Sequence, residues 1–396
     1  MSHFLHSFGV APSTFRDSPT TPVRRRSRAI ADWSRRTAAE QPGWKMSGTS
    51  FIVGTGTFEM TSLAASGAIA VNRTMSQIAV LTSGGDAPGM NAAIRAVTKV
   101  ATSHGVSVIG VKSGYRGLMA GDFMPLDPSI ANDILLRGGT ILGSSRAPEF
   151  VTDAGQRAAM DALEDAGIDG LVVIGGNGSQ TGAKALYDRG FPTIGVASTI
   201  DNDLHSFEMS IGVDTALNTA LEMLDRLRDT ATSHNRAFVV EVMGRGSGYL
   251  AIMAGIACGA EMVLTPEFPV TMDEVIDAFH AVNRERNQRF IAVVAEGSAL
   301  RASQVMDGLG AAVRTTHEVR LTVFGHVQRG GQPLVFDRTL ASRSAELAVR
   351  SLLSGKSGYV AGLSGGSYNL VPAEIAIQPD RKVTESLVNL ARVLGS

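Results

Sequence analysis

The sequence predicts an α/β protein of two Rossmann-like three-layer lobes with mainly parallel sheets. Three observations predict this class. From Gln77 onward, apolar runs alternate with runs of helical spacing, as in parallel sheets covered by helices. The 44 glycines cluster directly after the apolar runs, where tight turns leave the strands. The alternation occurs in two successive series, which indicates two lobes.

Residues 1–75 differ in composition from the rest of the chain. The segment is rich in Arg, Ser and Thr, poor in acids and without helical or strand periodicity. Three interpretations remain open: a disordered extension, an organelle transit peptide, or an upstream start that is not the true one. Met46 and Met75 are both plausible internal starts. This segment is therefore left out of the fold prediction.

The first series begins with the strand "QIAVLTS" and its glycine turn. The next run, "NAAIRAVTKVATSHG", places Ile94, Val97 and Val100 at three-residue steps and predicts a helix. The later predicted elements of this series are a strand in "VSVIGVKSGYRGL", a helix in "AGQRAAMDALEDAG", a strand in "DGLVVIGGNGS", a helix in "GAKALYDRG" and a strand in "PTIGVASTIDND".

The second series opens with a helix in "DTALNTALEMLDRLRDTATSH", which places Leu217, Leu221 and Leu224 on one face. Its predicted strands lie in "AFVVEVMGRGSGY", "EMVLTPE" and "RFIAVVAEGS". In sheets of this kind, ligands bind beyond the carboxyl ends of the strands. The residues that follow each strand therefore indicate the chemistry.

Composition excludes several classes of function. The formal net charge of -1 gives no bulk attraction to nucleic acid or to an anionic membrane, so neither partner is expected. No apolar run reaches the roughly 18 residues of a membrane span. The single Cys258 cannot form an intrachain disulfide and is expected to be a core residue, which fits a reducing cytoplasm.

Glycine loops follow two of the predicted strands. "TSGGDAPGMN" contains Gly84, Gly85 and Gly89, and "IGGNGSQTGA" repeats the pattern around Gly176. Such loops bring backbone N–H groups and a helix N-terminus close to an anion. Neither loop matches the Rossmann fingerprint or the Walker A motif, and a lone glycine turn is as readily structural.

Carboxylates and arginines follow other strands. In "STIDND", Asp201 and Asp203 divide into a proton acceptor and a magnesium ligand, or else form a structural Asx turn, and on this loop alone the two interpretations are equal. One arginine is usually a surface charge, but several beside glycine turns indicate phosphate recognition. These basic residues are Arg146, Arg236, Arg245, Arg320, His326 and Arg329. Together the acids, glycine loops and arginines predict phosphoryl transfer.

The strings "VLTSGGDAPGMNAAIR", "GGTILGSSR", "VVIGGNGS", "TIDND", "VEVMGR" and "GHVQRGG" resemble the 6-phosphofructokinase family, in order, over about residues 76–396. The resemblance implies transfer of the ATP γ-phosphoryl group to the 1-hydroxyl of fructose 6-phosphate, with Mg²⁺ and in glycolysis. It also implies a nucleotide-binding lobe of residues 76–212 plus 325–375, and a sugar-phosphate lobe of residues 213–324 plus 376–396, with the active site in the cleft between them. An oligomer, typically a homotetramer, is expected.

The family's functional residues carry over by position. The resemblance places Asp201 as general base, with Arg146, Arg245 and Thr199 as the other catalytic residues. The implied nucleotide contacts are Gly85, Tyr115, Arg146, Ala147, Gly176, Asn177, Gly178, Ser179 and Gly182. The implied sugar-phosphate contacts are Thr199, Ile200, Asp201, Arg236, Met243, Gly244, Arg245, Glu296, Arg320, His326, Val327, Gln328 and Arg329. Arg236 and Arg320 would serve a neighbouring subunit's site, and Asn177 and Asp203 would hold the metal.

Three positions bear on the phosphoryl donor. Asn177 stands where ATP-using members usually carry Asp, so one negative charge is missing from the expected metal site. Gly178 leaves room for a nucleoside where pyrophosphate users tend to carry Asp, and Ser198 stands where they tend to carry Lys. Both positions favour ATP. The alternatives are a pyrophosphate-dependent enzyme, a non-catalytic sugar-phosphate-binding subunit, or an acceptor such as sedoheptulose 7-phosphate. An oxidoreductase is disfavoured because no dinucleotide fingerprint occurs.

Overall fold

The computed structural model describes residues 75–234, 236–284, 289–314, 316–379 and 383–395. The expectation for residues 1–75 therefore falls, apart from Met75, outside the described residues. None of the helices in the described ranges combines the length and apolar character that a membrane span requires.

The larger sheet has seven strands, in the order β11-β10-β5-β4-β1-β2-β3. They are β1 (Gln77–Ser83), β2 (Ser107–Val111), β3 (Phe123–Pro125), β4 (Gly170–Gly175), β5 (Thr193–Ala197), β10 (Tyr359–Ser364) and β11 (Ser367–Pro372). The five inner strands are parallel, and the two edge strands β3 and β11 are antiparallel to their neighbours. The chain moves from β1 to β2 on one side and later to β4 on the other. The carboxyl ends of β1 and β4 therefore flank a topological switch point, where ligands bind in such sheets.

The smaller sheet has four parallel strands, in the order β7-β8-β6-β9. They are β6 (Arg236–Val242), β7 (Met262–Leu264), β8 (Phe290–Ala295) and β9 (Glu318–Val323). Buried β-branched residues dominate β6 and β8, as expected of inner parallel strands.

Twelve helices are present in the described ranges. They are α1 (Met90–Ser103), α2 (Gly114–Ala120), α3 (Pro128–Asn132), α4 (Asp153–Asp165), α5 (Asn177–Asp188), α6 (Val213–His234), α7 (Tyr249–Cys258), α8 (Met272–Arg284), α9 (Ala302–Val313), α10 (Val335–Leu353), α11 (Ala373–Ala376) and α12 (Glu385–Gly395). Every predicted helix and strand is found among these elements, but α5 begins earlier than predicted, and α2 lies where a loop was expected after the second strand.

Each sheet is covered on both faces, so the predicted three-layer α/β fold is confirmed. On β1, Ile78 and Val80 face the core under α1 and α10, whereas Ala79 and Leu81 face the core under α2, α4 and α5. On the smaller sheet, α6 and α7 cover one face, and α8 and α9 cover the other. Leu224 of α6 is fully buried. The strands of the two sheets fall within the predicted lobes, but the exact lobe limits remain a prediction.

Candidate active site

The glycine loop after β1 lies against an arginine from the other half of the chain. Gly84 and Gly89 have φ angles of 82° and 108°, which favour glycine. A Cβ on Gly85 would lie 2.3 Å from a guanidinium nitrogen of Arg329. Arg329 also donates to the Asp86 carbonyl oxygen at 3.0 Å. The structure thus brings the first glycine loop and the predicted sugar-phosphate residue Arg329 into direct contact.

The second glycine motif is shorter as a loop than the sequence suggested. Gly176 is the N-cap of α5, and Asn177 is already the first helical residue, so Asn177 to Gly182 lie in the first turns of a 12-residue helix. The N–H groups of this turn point along the helix axis toward the strand ends, and they form a favourable environment for an anion. A Cβ on Gly178 would meet no atom within 4 Å, so this position opens onto free space.

Tyr115 packs against the first turns of α5. Its side chain is buried, and its hydroxyl donates to the Ser179 carbonyl oxygen at 2.6 Å. The ring stacks on Phe150 with centroids 4.1 Å apart and closely approaches Gly182, where a Cβ would lie 2.7 Å from the ring. Burial raises the pKa of the Tyr115 hydroxyl. Its position favours supporting the helix over direct contact with a nucleotide base.

The loop that carries Arg146 is tied to its surroundings by two polar contacts. Arg116 donates to the Arg146 carbonyl oxygen at 3.0 Å, and Ser145 donates to the Ser113 carbonyl oxygen at 2.8 Å. The Arg146 side chain itself is exposed. Ala147 follows it as the N-cap of a short 3-10 turn. The backbone of this loop is held while the guanidinium remains accessible.

The acidic loop, residues 198–212, follows β5 and is held by a buried asparagine. Asn202 is fully buried with a φ of 50°, donates to the Glu208 carbonyl oxygen and accepts from the Ser210 N–H, both at 3.0 Å. The Asp201 N–H donates to Thr199 Oγ1 at 3.2 Å. Ile200 is completely buried in the core, so its side chain supports the loop from within.

Asp201 lies where the strand ends of both sheets meet. It is only 6% exposed, and its Oδ1 atom has no hydrogen-bond partner. Burial, with the negative charge of Asp203, raises the pKa of the Asp201 carboxyl to about 6, against the lowering effect of Arg329. Glu296 and Arg245 are close enough to contribute opposite, smaller effects. Arg329 Nη2 lies 3.9 Å from Asp201 Oδ1.

Residues after β6 and β8 form the opposite wall. Glu296 accepts from the Gly244 N–H at 3.2 Å and from the Arg245 N–H at 2.6 Å, which holds the turn in which Arg245 adopts a φ of 56°. The Met243 N–H donates to Oε1 of the fully buried Gln328. His326 and Val327 are exposed beside it. Gln328 therefore supports the backbone of this wall.

Arg236 and Arg320 lie apart from Asp201. Arg236 Nε lies 2.8 Å from Glu318 Oε2, and Arg320 contacts the other carboxylate oxygen. Arg236 and Glu318 are paired at the amino ends of β6 and β9. Arg236 begins a seven-residue strand, so about 20 Å separates it from the carboxyl end that faces Asp201, whereas Arg320 is the third residue of β9 and pairs with Phe238. Within one chain, the structure does not bring them into the Asp201 site.

Comparison with known proteins identifies the family. The phosphofructokinase family model matches residues 77–352. A protein named ATP-dependent 6-phosphofructokinase from Brevibacillus brevis is 47% identical over 321 residues, which cover 81% of this chain and 100% of that protein. This chain belongs to the phosphofructokinase family. A protein named ATP-dependent 6-phosphofructokinase 1 from Thermus thermophilus is 46% identical over 324 residues, with 81% and 100% coverage.

Solved phosphofructokinase structures share the fold. The structure of phosphofructokinase from Saccharomyces cerevisiae has a TM-score of 0.71 and 34% identity, over 81% of this chain and 48% of that one. A pyrophosphate-dependent phosphofructokinase from Marinobacter aquaeolei has a TM-score of 0.70 at 20% identity, over 81% and 91% of the two chains. At that identity the likeness shows the fold alone.

The acidic loop fits the magnesium ion that the phosphofructokinase family implies. Magnesium takes one or two carboxylates and completes its shell with phosphate oxygens and waters. Asp201 and Asp203 repel each other, and Asp201 Oδ1 accepts no hydrogen bond, although Arg329 lies 3.9 Å away, so a cation would further stabilise the two carboxylates. No cluster of three or more His, Cys, Asp or Glu residues that could hold a metal occurs in the described part of the chain. Asn177 would be a weaker ligand than Asp because its amide oxygen carries no charge, and its amide nitrogen donates to the Ile377 carbonyl oxygen at 3.0 Å.

Sequence reasoning missed one buried acid that closes the acidic loop. Asp337 of α10 is fully buried and accepts from the Gly212 N–H, the Thr215 N–H and Thr215 Oγ1, at 2.8, 2.8 and 2.6 Å. It thereby caps α6 from another helix, and burial raises the pKa of the Asp337 carboxyl to about 6. The one sequence signal is Gly212, which precedes α6 without a side chain that could cap it.

Proposed function

We propose that this phosphofructokinase is ATP-dependent and transfers the γ-phosphoryl group of ATP to the 1-hydroxyl of fructose 6-phosphate. The products are fructose 1,6-bisphosphate and ADP, in glycolysis. The observation that carries the proposal is Asp201, a buried carboxylate with a raised pKa and an oxygen that accepts no hydrogen bond, where two glycine turns and several arginines converge. The relatives named ATP-dependent 6-phosphofructokinase, at 46–47% identity over their full length, support the same activity.

Asp201 is the general base. A carboxyl pKa of about 6 keeps the group ionised near neutral pH and yet basic enough to take the proton of a sugar hydroxyl. As that O–H bond breaks, the hydroxyl oxygen forms a bond to the γ-phosphorus, and the bond to the β-γ bridging oxygen breaks to release ADP. Arg146 and Arg245, both with exposed side chains, stabilise the negative charge on the phosphoryl group in flight. Thr199 orients the base through its bond to the Asp201 N–H.

The remaining contacts divide between the two substrates. The nucleotide phosphates bind at Gly85 and at the first turn of α5, where helix N–H groups face an anion. The sugar phosphate binds along the wall formed by Met243 to Arg245, Glu296 and the 326–329 segment. Bound Mg²⁺, held by Asp203, would neutralise the charge of the donor phosphates. The lobes of residues 76–212 plus 325–375 and 213–324 plus 376–396 supply the nucleotide and sugar sides respectively.

ATP is the donor that the local geometry favours. Gly178 opens onto free space, so the protein leaves room beside the first turn of α5 for the rest of a nucleotide. Ser198 is fully buried, donates to the Ile211 carbonyl oxygen and leaves no space for a lysine without rearrangement. A pyrophosphate-using site, with Asp and Lys at these two positions, does not match this loop.

The site is completed by a second copy of the chain, and the enzyme is a homo-oligomer, typically a tetramer, of the cytoplasm. The separation of Arg236 from Asp201 supports this arrangement, since a phosphate-binding residue at the far strand end would serve another subunit's site, and Arg320 shares the Glu318 carboxylate with Arg236. The sole cysteine, Cys258, is buried and free, which accords with a reducing compartment.

Steady-state phosphorylation of fructose 6-phosphate with Mg²⁺ tests the proposal, with ATP and pyrophosphate compared as donors. We expect turnover with ATP and none with pyrophosphate. Gly178→Asp should weaken ATP binding at least tenfold more than Gly178→Ala, because both side chains fit and only one carries charge. Turnover with pyrophosphate would overturn the donor assignment. No phosphorylation with either donor would indicate that the chain is a binding subunit and not a kinase.

A further inference from the structure

Asn177 contacts a distant part of the chain. Its Nδ2 atom donates to the Ile377 carbonyl oxygen at 3.0 Å, across 200 positions of sequence. A carbonyl oxygen can only accept, so this contact fixes the orientation of the amide and requires a side chain with an N–H or O–H donor. A carboxylate at position 177 would place two acceptor oxygens face to face.

The end of α11 also contacts the acidic loop. The last carbonyl groups of a helix lack partners within the helix and need donors from elsewhere. The Ala376 carbonyl oxygen accepts from the His205 N–H at 3.1 Å, two residues beyond Asp203. The next carbonyl, that of Ile377, accepts from Asn177. Two successive carbonyl groups at the end of α11 therefore accept from the two elements, Ala376 from the acidic loop and Ile377 from the first turn of α5.

The contact is supported by packing and by a short strand pairing. Leu204 forms an isolated antiparallel bridge with Pro379. A buried apolar cluster fills the space between the acidic loop and α11, and its members are Ala197, Leu204, Phe207, Val360, Val371, Ala373 and Ala376. Segment 373–379 is thus fixed to the acidic loop by a core as well as by hydrogen bonds. Helix α5 also packs directly against α11, and Asn177 adds a side-chain hydrogen bond at this contact.

We infer that Asn177 is a positioning residue that orients the first turn of α5 against α11, the helix whose end also holds the acidic loop. This inference rests on the proposed function, because the two loops hold the donor phosphates and the general base. On this inference, the Asn177 amide serves as a hydrogen-bond donor and is not a ligand of the metal. In-line transfer depends steeply on the separation of the reacting groups, and a shift of about 1 Å can cost a hundredfold in rate.

Substitution of Asn177 separates this role from metal binding. Asn177→Asp adds a charge and removes the donor, and Asn177→Ala removes the donor alone. Asn369→Asp is the matched control, because Asn369 also donates its amide to a carbonyl oxygen, that of Ser364 at 2.7 Å, on an exposed hairpin away from the site. The measurements are kcat, the KM values, the Mg²⁺ half-saturation and hydrogen exchange of the His205 and Gln378 amides. Far-UV circular dichroism checks that each variant is folded.

We expect both Asn177 variants to lose kcat by about tenfold or more, as for the loss of one positioning hydrogen bond. The Mg²⁺ half-saturation of Asn177→Asp should not tighten, and exchange at His205 and Gln378 should accelerate in both variants but not in the control. A gain in kcat with tighter Mg²⁺ half-saturation in Asn177→Asp would overturn the inference, as would unchanged exchange at both amides. Absence of wild-type turnover would refute the proposed function, while the exchange measurement would still test the contact itself.

Discussion

Asn202 offers the sharpest test of how the acidic loop is held. It lies between Asp201 and Asp203, is fully buried, and has a φ of 50°, a conformation that costs most residues with a Cβ about 1–2 kcal/mol. Its amide satisfies the Glu208 carbonyl and the Ser210 N–H, both at 3.0 Å. An unsatisfied buried partner costs about 1–3 kcal/mol. Ser210 is buried and its N–H would lose its partner, whereas Glu208 is exposed, so Asn202→Ala should lower the free energy of unfolding by about 2–5 kcal/mol.

Asn202→Gly separates the two contributions. Glycine adopts a positive φ freely, so it removes the two hydrogen bonds but not the favourable backbone conformation. We expect Asn202→Gly to be about 1 kcal/mol more stable than Asn202→Ala, and less stable than wild type. Urea unfolding followed by far-UV circular dichroism gives both differences from the shift in midpoint. Equal stability of the Ala and Gly variants would refute the strain argument, and a loss below about 1 kcal/mol in both would refute the hydrogen-bond argument.

Three further predictions concern the same site. Tyr115→Phe removes the bond to the Ser179 carbonyl and should lower the free energy of unfolding by about 1 kcal/mol, measured by thermal unfolding. Gly182→Ala should weaken ATP binding in a calorimetric titration, because its Cβ meets the Tyr115 ring at 2.7 Å, whereas Gly178→Ala, with no atom within 4 Å, should bind as wild type does. Because Asp201 must be ionised to accept a proton, kcat/KM should be full above its pKa of about 6 and fall about tenfold per pH unit below it; a profile flat down to pH 4 would contradict this.

The sheets were predictable because their signals are local. Inner parallel strands such as β1 and β4 are buried on both faces, so they appear in the sequence as continuous apolar runs that end at glycine. The positions of the two glycine motifs and of "TIDND" at strand ends followed directly from that pattern. The start of α5 was placed too late, because Gly178 and Gly182 resemble loop residues although both lie within the helix.

The supporting contacts were not predictable, because they join residues far apart in sequence. Asp337 caps α6 across more than 120 positions, and Asn177 bonds to Ile377 across 200. Nothing in the sequence around Tyr115 indicates that its hydroxyl donates to the Ser179 carbonyl oxygen. Such side chains are ordinary polar residues until the fold brings their partners to them, so sequence spacing alone does not reveal their roles.

The kcat of Asp201→Asn tests the central claim most directly. Asparagine preserves the size of the side chain but cannot take the proton of the 1-hydroxyl. We expect kcat with ATP and fructose 6-phosphate to fall by about 10²–10⁴-fold, the usual contribution of a general base, with the KM for ATP little changed. A variant that keeps kcat within about tenfold of wild type would show that another group takes the proton, and would contradict the assignment of Asp201 as the base.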